Sequence, residues 1–251
     1  MDQKELKNTV SIILPNFNSS EHILSTIKSV KNQNYHAWRL IIVDDCSNMQ
    51  TKKQLNKIKN NKKIKIIWLK KNRGAAYCRN LAIKNSKSKY IAFIDSDDIW
   101  EKNKLKLQLK YMEQNNLDFT YTNYKTIGLK LRKINLPSKF NFEQFTKNTS
   151  IATSTMMIKR NIIKGVKFTN TPICEDYYFK CKILKKIEFA YCLKNYLSKY
   201  RIRENSLQSN KFKNFYWIWK INNKFNKFNF FQNINSLFFI SINSIRKYGL
   251  K

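Results

Sequence analysis

The chain has 251 residues, enough to bury a full core, and typical domain sizes favour one domain with a terminal appendage over two independent domains. Its 49 Lys and Arg against 16 Asp and Glu give a net charge of +33, which points to a polyanionic partner such as nucleic acid or an anionic membrane, or equally to codon drift towards Lys, Asn and Ile. Five cysteines with no CxxC pair and no signal sequence ahead of them read as reduced thiols of a cytoplasmic protein; His22 and His36 alone supply neither a His/Cys zinc site nor a Ser/His/Asp triad, and no apolar run nears the roughly 20 residues that span a bilayer.

From the N-terminus, Val10 to Leu14 is a run of β-formers closed by Pro15, and Ile23, Leu24, Ile27 and Val30 then recur at helical spacing behind a Ser19/Ser20 cap. Leu40 to Val43 reads as a second strand, followed by a Lys-rich helix carrying Leu55 and Ile58. A third strand, Ile64 to Leu69, leads through Gly74 into a helix from Ala75 to Ile83, and Tyr90 to Ile94 is a fourth strand. Leu105, Leu109 and Met112 mark a helix before a strand at Phe119 to Tyr124. A hydroxyl-rich strand is expected at Ile151 to Ile158, and a helix from Glu175-Asp176 through Leu184. The final segment, Asn205 to Lys251, has no Asp or Glu and many aromatics, and reads as two basic aromatic helices. Alternating strands and helices predict an α/β fold with a mostly parallel central sheet flanked by helices, because parallel neighbours need a crossover. Ligands of such sheets bind at the carboxyl ends of the strands. The polar residues fall there: Pro15 to Asn18, Asp44 to Ser47, Asn72 to Gly74, and Asp95 to Asp98.

Three carboxylates within Asp95-Ser96-Asp97-Asp98 repel one another unless a cation or strong donors offset the charge. Mg²⁺ or Mn²⁺ is the simplest solution, since such ions bind a few protein oxygens together with substrate phosphates. The alternative is a solvated turn with Asp98 capping the next helix. Asp44-Asp45 ends the second strand in the same way, where one aspartate could accept from the N–H of a uracil-like base, or where Asp45 or Ser47 caps a helix. Arg73 and Gly74 stand just before a helix, a place that favours anions. Arg79 on that helix is a second candidate for a diphosphate, with a surface ion pair as its alternative. Glu175-Asp176 is an acidic pair in a basic stretch, able to take a proton from an attacking hydroxyl or simply to start a helix.

Taken in order, Ser11 to Asn18 (SIILPNFN), Val43 to Ser47 (VDDCS), Asn72 to Asn80 (NRGAAYCRN), Phe93 to Trp100 (FIDSDDIW), Glu175-Asp176 and Tyr200 to Ser206 (YRIRENS) resemble glycosyltransferase family 2 over about four fifths of the chain. The likeness is greatest to small bacterial transferases that build cell-surface polysaccharides, including the teichuronic-acid type. The resemblance implies a GT-A fold, a Rossmann-like nucleotide-diphosphosugar transferase, with the catalytic domain at 8–204 and the helical appendage at 205–251. It implies that Pro15 and Asn18 line the nucleotide pocket with Asp45 facing the base, and that Arg73, Gly74, Arg79, Asp95 and Ser96 complete the donor site. Asp95-Ser96-Asp97 would be the DXD motif, with Asp97 touching Mn²⁺ or Mg²⁺ most directly and Asp95 beside it. Asp176 matches the family's catalytic base, with Glu175 its neighbour. Cys174-Glu175 stands where relatives often have Arg-Gln, and Lys180-Cys181 replaces a typically apolar or Trp-containing stretch. Arg203 lies where some members carry a histidine, so no third metal ligand is assigned.

The function so implied is an inverting, metal-assisted transfer of a sugar from a nucleotide diphosphate donor, a UDP-sugar, to the hydroxyl of a saccharide or lipid-linked saccharide. Two other classes compete. A sugar nucleotidyltransferase uses a similar sheet, but Ser11 to Asn18 lacks the Gly-rich phosphate loop of that class. A nucleic-acid-binding module would use the basic aromatic tail to stack bases. The spacing of Phe215 and Trp219 favours packing of that tail on the domain, compatible with peripheral contact on an anionic inner membrane leaflet.

Overall fold

The computed structural model describes residues 9–203 and 211–248. The end of the Tyr200 to Ser206 motif and the start of the 205–251 segment fall outside them. The first half alternates as expected: β1 (Val10–Asn16), α1 (Ile23–Lys31), β2 (Trp38–Asp44), α2 (Met49–Asn56), β3 (Ile64–Trp68), α3 (Ala75–Lys84) and β4 (Tyr90–Phe93). Next come β5 (Ile99–Trp100), α4 (Lys104–Gln114), β6 (Phe119–Gly128), β7 (Lys133–Ile134), β8 (Lys139–Phe140) and α5 (Phe142–Thr146). The rest comprises β9 (Met157–Lys159), α6 (Arg160–Ile163), α7 (Glu175–Leu184), β10 (Ala190–Ile202), α8 (Lys211–Ile221) and α9 (Phe230–Tyr248).

Among the described residues the strands form one sheet in the order β3-β2-β1-β4-β9-β6-β10-β5, with β7 on β6 and β8 on β10. Its long registers are parallel: β1 with β2 and β4, β2 with β3, and β10 with β6. The short β9 enters antiparallel between β4 and β6. Parallel register sets Asn16 level with Asp44, and Ile13 level with Phe93, so the chain leaves β1, β2 and β4 along one edge. Pro15 fits inside β1 because the Ile13 carbonyl accepts from Ile94 N at 3.1 Å. Alternation then turns Pro15 to the same side, just past the end of the β4 ladder, where a missing N–H costs no sheet bond.

Side chains alternate between two cores. Ile13, Ile41 and Phe93 join the cluster covered by α3, α7, α8 and α9, whereas Ile12, Leu14, Ile42 and Ile94 join the one covered by α1 and α4. Ile218, Ile221 and Ile240 of α8 and α9 are buried in the first cluster. The helices α8 and α9 therefore pack their inner faces on the sheet and α7, and Tyr177 Oη donates to Asn222 Oδ1 at 2.7 Å across that contact.

Two local expectations are corrected. The cap of α1 is His22 rather than Ser19 or Ser20; the Ser19 carbonyl instead accepts from His22 N and Ile23 N, forming a turn before the helix. The stretch from Ile151 to Ile158 is not a strand but a 3₁₀ turn, Thr153–Thr155, with strand only from Met157. Its hydroxyls bind locally: Thr155 Oγ1 donates to the Ala152 carbonyl at 2.6 Å, and Ser154 Oγ accepts from Asp95 N at 2.9 Å. Such bonds compete with a ladder.

Beneath the site, Lys104 is wholly buried, its Nζ donating to Gln108 Oε1 at 2.8 Å and lying 4.1 Å from the Trp100 ring centroid. Burial lowers its pKa to about 7. Between that value and its ordinary value the unfolded chain binds a proton that the folded chain does not, so stability rises with pH across this window. Lys104→Met should therefore stabilise the fold at neutral pH, by up to about 4 kcal/mol, and flatten that rise. Urea unfolding over a pH series checks this, and parallel curves for the two proteins would refute it.

Candidate functional site

Tight turns at the carboxyl edge build the first part of the site. Asp44 accepts from Asn16 Nδ2 at 2.7 Å and from Ser47 N at 3.0 Å, which closes the turn after β2. Asp45 is buried and reaches across to the next crossover, where its two oxygens accept from Arg73 N and Gly74 N, each at 2.7 Å. Gly74 caps α3 at φ +84°, a conformation that favours glycine. Asn18 and Cys46 also take positive φ, and the two turns are latched together by Asn48 N donating to Asn18 Oδ1 at 2.7 Å. Arg73 is exposed, its guanidinium 4.1 Å from the Tyr77 ring centroid.

The second part is a cross-link between carboxylates far apart in sequence. Arg79, on the buried face of α3, donates through Nη2 to Asp95 Oδ1 at 2.7 Å and through Nη1 to Glu175 Oε1 at 2.6 Å. Its side chain is 6% exposed, and the guanidinium lies 5.3 Å from the Phe168 ring centroid. The surface ion pair considered for Arg79 is thus corrected to a buried bridge, and both its terminal nitrogens are engaged by protein carboxylates. Asp97 pairs with Arg203 at 2.8 Å, while the Arg201 side chain donates to the Asp97 carbonyl at 3.0 Å. Burial, then the Asp95 charge, raises the Asp97 pKa. Asp98 faces inward, accepting from Ser154 Oγ and from Arg201 N at 2.8 Å, so it fixes β10 to the loop instead of capping α4. Ser96 accepts Thr26 Oγ1 at its carbonyl at 3.0 Å.

Asp176 stands in the first turn of α7, behind Cys174 at φ +60°. Its Oδ2 accepts from Lys180 Nζ at 2.6 Å and Thr153 Oγ1 at 3.0 Å, and its Oδ1 from Tyr177 N at 2.9 Å. Burial alone would raise the Asp176 pKa, but the Lys180 ammonium, together with Arg79 and the Thr153 hydroxyl, outweighs it and holds the carboxyl at about 2. Glu175 moves the other way, raised by burial against the pull of Arg79. A cleft of about 610 Å³ is lined by Arg79, Asp95, Glu175, Asp176, Lys180 and Arg203. Asp97 does not line this cleft itself but is joined to its wall by the ion pair with Arg203. A larger cavity, about 1340 Å³, lies at the other end of β4, around Tyr90 and Ile91, and holds none of these carboxylates.

The structure brings Arg79, Asp95, Asp97, Glu175 and Asp176 together, and sets Asn18, Asp45, Arg73 and Gly74 on the neighbouring turns of the same sheet edge. Lys180 and Arg203, which carried no assigned role, join Arg79 as cations of the site. Lys180 was findable, because side chains four apart on a helix meet; Arg203 was not, because nothing local ties it to Asp97. Among the described residues no three His, Cys, Asp or Glu side chains converge as a metal cage. Two carboxylates at Asp95 and Asp97, the second disfavoured as an anion by burial and by the first, fit a divalent ion that takes its other ligands from phosphate and water. The cysteines are all free, and burial pushes Cys78, Cys174 and Cys181 up to about 12, so none of these three is poised as a nucleophile.

The profile of glycosyl transferase family 2 matches residues 11–179. A putative teichuronic acid biosynthesis glycosyltransferase, TuaG of Bacillus subtilis, is 36% identical over 212 residues, covering 82% of this chain and 84% of the relative. The Escherichia coli UDP-Glc:alpha-D-GlcNAc-diphosphoundecaprenol beta-1,3-glucosyltransferase WfgD is 35% identical over 215 residues, 84% of each chain. The crystal structure of S. aureus TarS 1-349 in complex with UDP-GlcNAc superposes with a TM-score of 0.74 at 20% identity, over 95% of this chain and 73% of that one. A mannosyltransferase of Pyrobaculum calidifontis in complex with GDP-Man and Mn2+ gives 0.71 at 11% identity, over 98% of this chain and 77% of that one. These likenesses bear out the GT-A fold.

The Asp45 bridge generates a test. Asp45→Asn presents an amide N–H₂ to one of two backbone donors and should destabilise the fold by about 1–3 kcal/mol, with faster hydrogen exchange at the Arg73 and Gly74 amides. Unchanged exchange there would remove Asp45 from its part in holding this loop.

Proposed function

Because the chain belongs to glycosyl transferase family 2, we propose that it transfers a sugar, with inversion, from a UDP-sugar to a hydroxyl of a lipid-linked saccharide in cell-surface polysaccharide synthesis. The observation that carries the reading is the Arg79 bridge, which holds Asp95 and Glu175 on one cleft with Asp176 beside them. The names of the relatives support the donor and the acceptor, since WfgD is named for UDP-Glc and a diphosphoundecaprenol-linked sugar, and TarS was crystallised with UDP-GlcNAc.

In this reading the catalytic residues lie in 8–204. Pro15, Asn18, Asp45 and Ser96 border the nucleotide, and the exposed Arg73 side chain, beside Gly74 at the N-terminus of α3, faces the diphosphate, the N–H groups of both residues being held by Asp45. Arg79 orients Asp95 and Glu175. When held by Asp97 and Asp95, Mn²⁺ or Mg²⁺ supplies Lewis-acid stabilisation to the departing diphosphate. Asp176 takes the acceptor proton from the face opposite the leaving group, so one displacement inverts the anomeric carbon without a covalent sugar intermediate. Release of nucleoside diphosphate from a panel of nucleotide sugars, dependent on Mn²⁺ or Mg²⁺, tests the donor. Asp176→Asn should lower kcat by a factor on the order of 10² to 10⁴ while leaving donor KM nearly unchanged, and wild-type turnover in that variant would remove Asp176 from the role.

The 205–251 segment is assigned to peripheral membrane contact. Opposite the buried Asn233, Ser236 and Ile240, α9 exposes Phe231, Ile234, Phe238 and Ile245, three, four and seven residues apart, in a segment without a single acidic residue. Ser244, Ile245 and Lys247 of α9 also line the cleft, so an acceptor anchored in lipid would reach Asp176 along this helix. Replacing Phe231 and Phe238 together by Ser should weaken co-sedimentation with phosphatidylglycerol vesicles about tenfold or more; undiminished binding rejects the membrane assignment.

A further inference from the structure

Building on the reading of Asp176 as the base, we infer that Lys180 is its positioning residue, holding the carboxylate by Oδ2 so that Oδ1 receives the acceptor proton. Lys180 sits one helical turn beyond Asp176 on α7, with 2% of its side chain exposed. Its Nζ donates to the Ile151 carbonyl at 2.6 Å and to Asp176 Oδ2 at 2.6 Å, which ties the helix to the segment ahead of the Thr153–Thr155 turn. Thr153 Oγ1 adds a second donor to the same oxygen. Among the described residues, Oδ1 accepts only the Tyr177 N–H. One carboxylate oxygen is thereby saturated, and the other keeps a lone pair for an incoming hydroxyl.

Stability does not account for this lysine. Burying an ammonium beside a carboxylate is commonly no better than filling the space with an apolar side chain of like volume. Here the ammonium lies on the wall of the cleft itself. The charged or titratable groups facing Asp176 are Lys180 and Glu175 from α7, Cys174 just ahead of it and Arg79 from α3, while the 151–153 segment supplies a carbonyl and a hydroxyl. Arg203 and Lys247 stand elsewhere on the cleft wall. Lys180 is the closest cation, so the base remains ionised and oriented together.

The chemistry balances. The acceptor O–H bond breaks and its proton joins Asp176 Oδ1, the acceptor oxygen bonds to the anomeric carbon, and the bond from that carbon to the diphosphate breaks with its electron pair on the leaving oxygen. A carboxylate held by an ammonium is a weak base towards a free alcohol. The alcohol proton becomes far more acidic as its oxygen bonds to carbon, so transfer accompanies bond formation instead of preceding it. Protonated Asp176 beside Lys180 then gives its proton readily to water, which resets the base.

Lys180→Met and Lys180→Gln test this. In both, kcat should fall by a factor on the order of 10 to 100, donor KM should hold, and an acid limb absent from the wild type should enter the pH profile of kcat as the carboxyl loses its cation. The Asp176 ¹³Cγ resonance should titrate at correspondingly higher pH. Retained kcat with an unmoved profile in either folded variant overturns the inference; should Lys180→Met not fold, Lys180→Gln decides alone. Failure of the underlying base assignment is separate and visible, because only then does Asp176→Asn keep full turnover.

Discussion

Every functional contact in this molecule depends on offsetting carboxylates that the fold has crowded together and partly dried. Asp95, Asp97, Glu175 and Asp176 arrive from two stretches of chain about eighty residues apart, and burial acts against the charged form of each of the last three. Arg79 offsets two of them at once, since a planar guanidinium can donate from two nitrogens to two acceptors. Without it, Asp95 and Glu175 would face each other across a cleft with no cation between them. Lys180 and Arg203 complete the pattern, one for Asp176 and one for Asp97. Three cations therefore serve four carboxylates, and the uncompensated charge belongs to Asp95 and Glu175, which share Arg79.

The same electrostatics separate two kinds of carboxylate chemistry. Asp97 has its pKa raised by burial and by a like charge, the condition of a group that gains by meeting a cation. Asp176 is held at about 2, chiefly by an ammonium, the condition of a group that is ionised at rest and ready to accept a proton. Asp44, Asp45 and Asp98 are structural partners to both: they organise turns by accepting backbone N–H groups, and they consume acidic residues the sequence otherwise rarely supplies. Away from the cleft, the inner faces of the aromatic C-terminal helices complete the core while the outer face of α9 remains apolar and open.

Much of this was readable along the chain. Strand and helix periods from Val10 to Phe93 identified the alternating half, and parallel register then required Asn18, Asp45, Gly74 and Asp95 to gather on one edge. The region from Ile151 to Ile158 misled, because a run of hydroxyl residues with β-forming neighbours has strand composition, whereas its hydroxyls bind Asp95, Asp98 and nearby carbonyls instead of a ladder. The long β10 was not anticipated: its pattern is broken by register shifts between Leu193 and Ser198, which blur the two-residue period. Asp98, a candidate cap by position, turned out to bind Arg201 on β10, the strand beside β5.

By itself the sequence determined the α/β architecture, the carboxyl-edge location of the site and the identity of its acidic residues, because hydrophobic period and short motifs are local properties. Only the tertiary structure decided the partners: that Arg79 joins Asp95 to Glu175, that Arg203 answers Asp97, and that the C-terminal helices form a wall of the cleft around Asp176. Such pairings depend on which surfaces meet when helices close over a sheet. Long-range packing sets that choice, and no spacing along the chain encodes it.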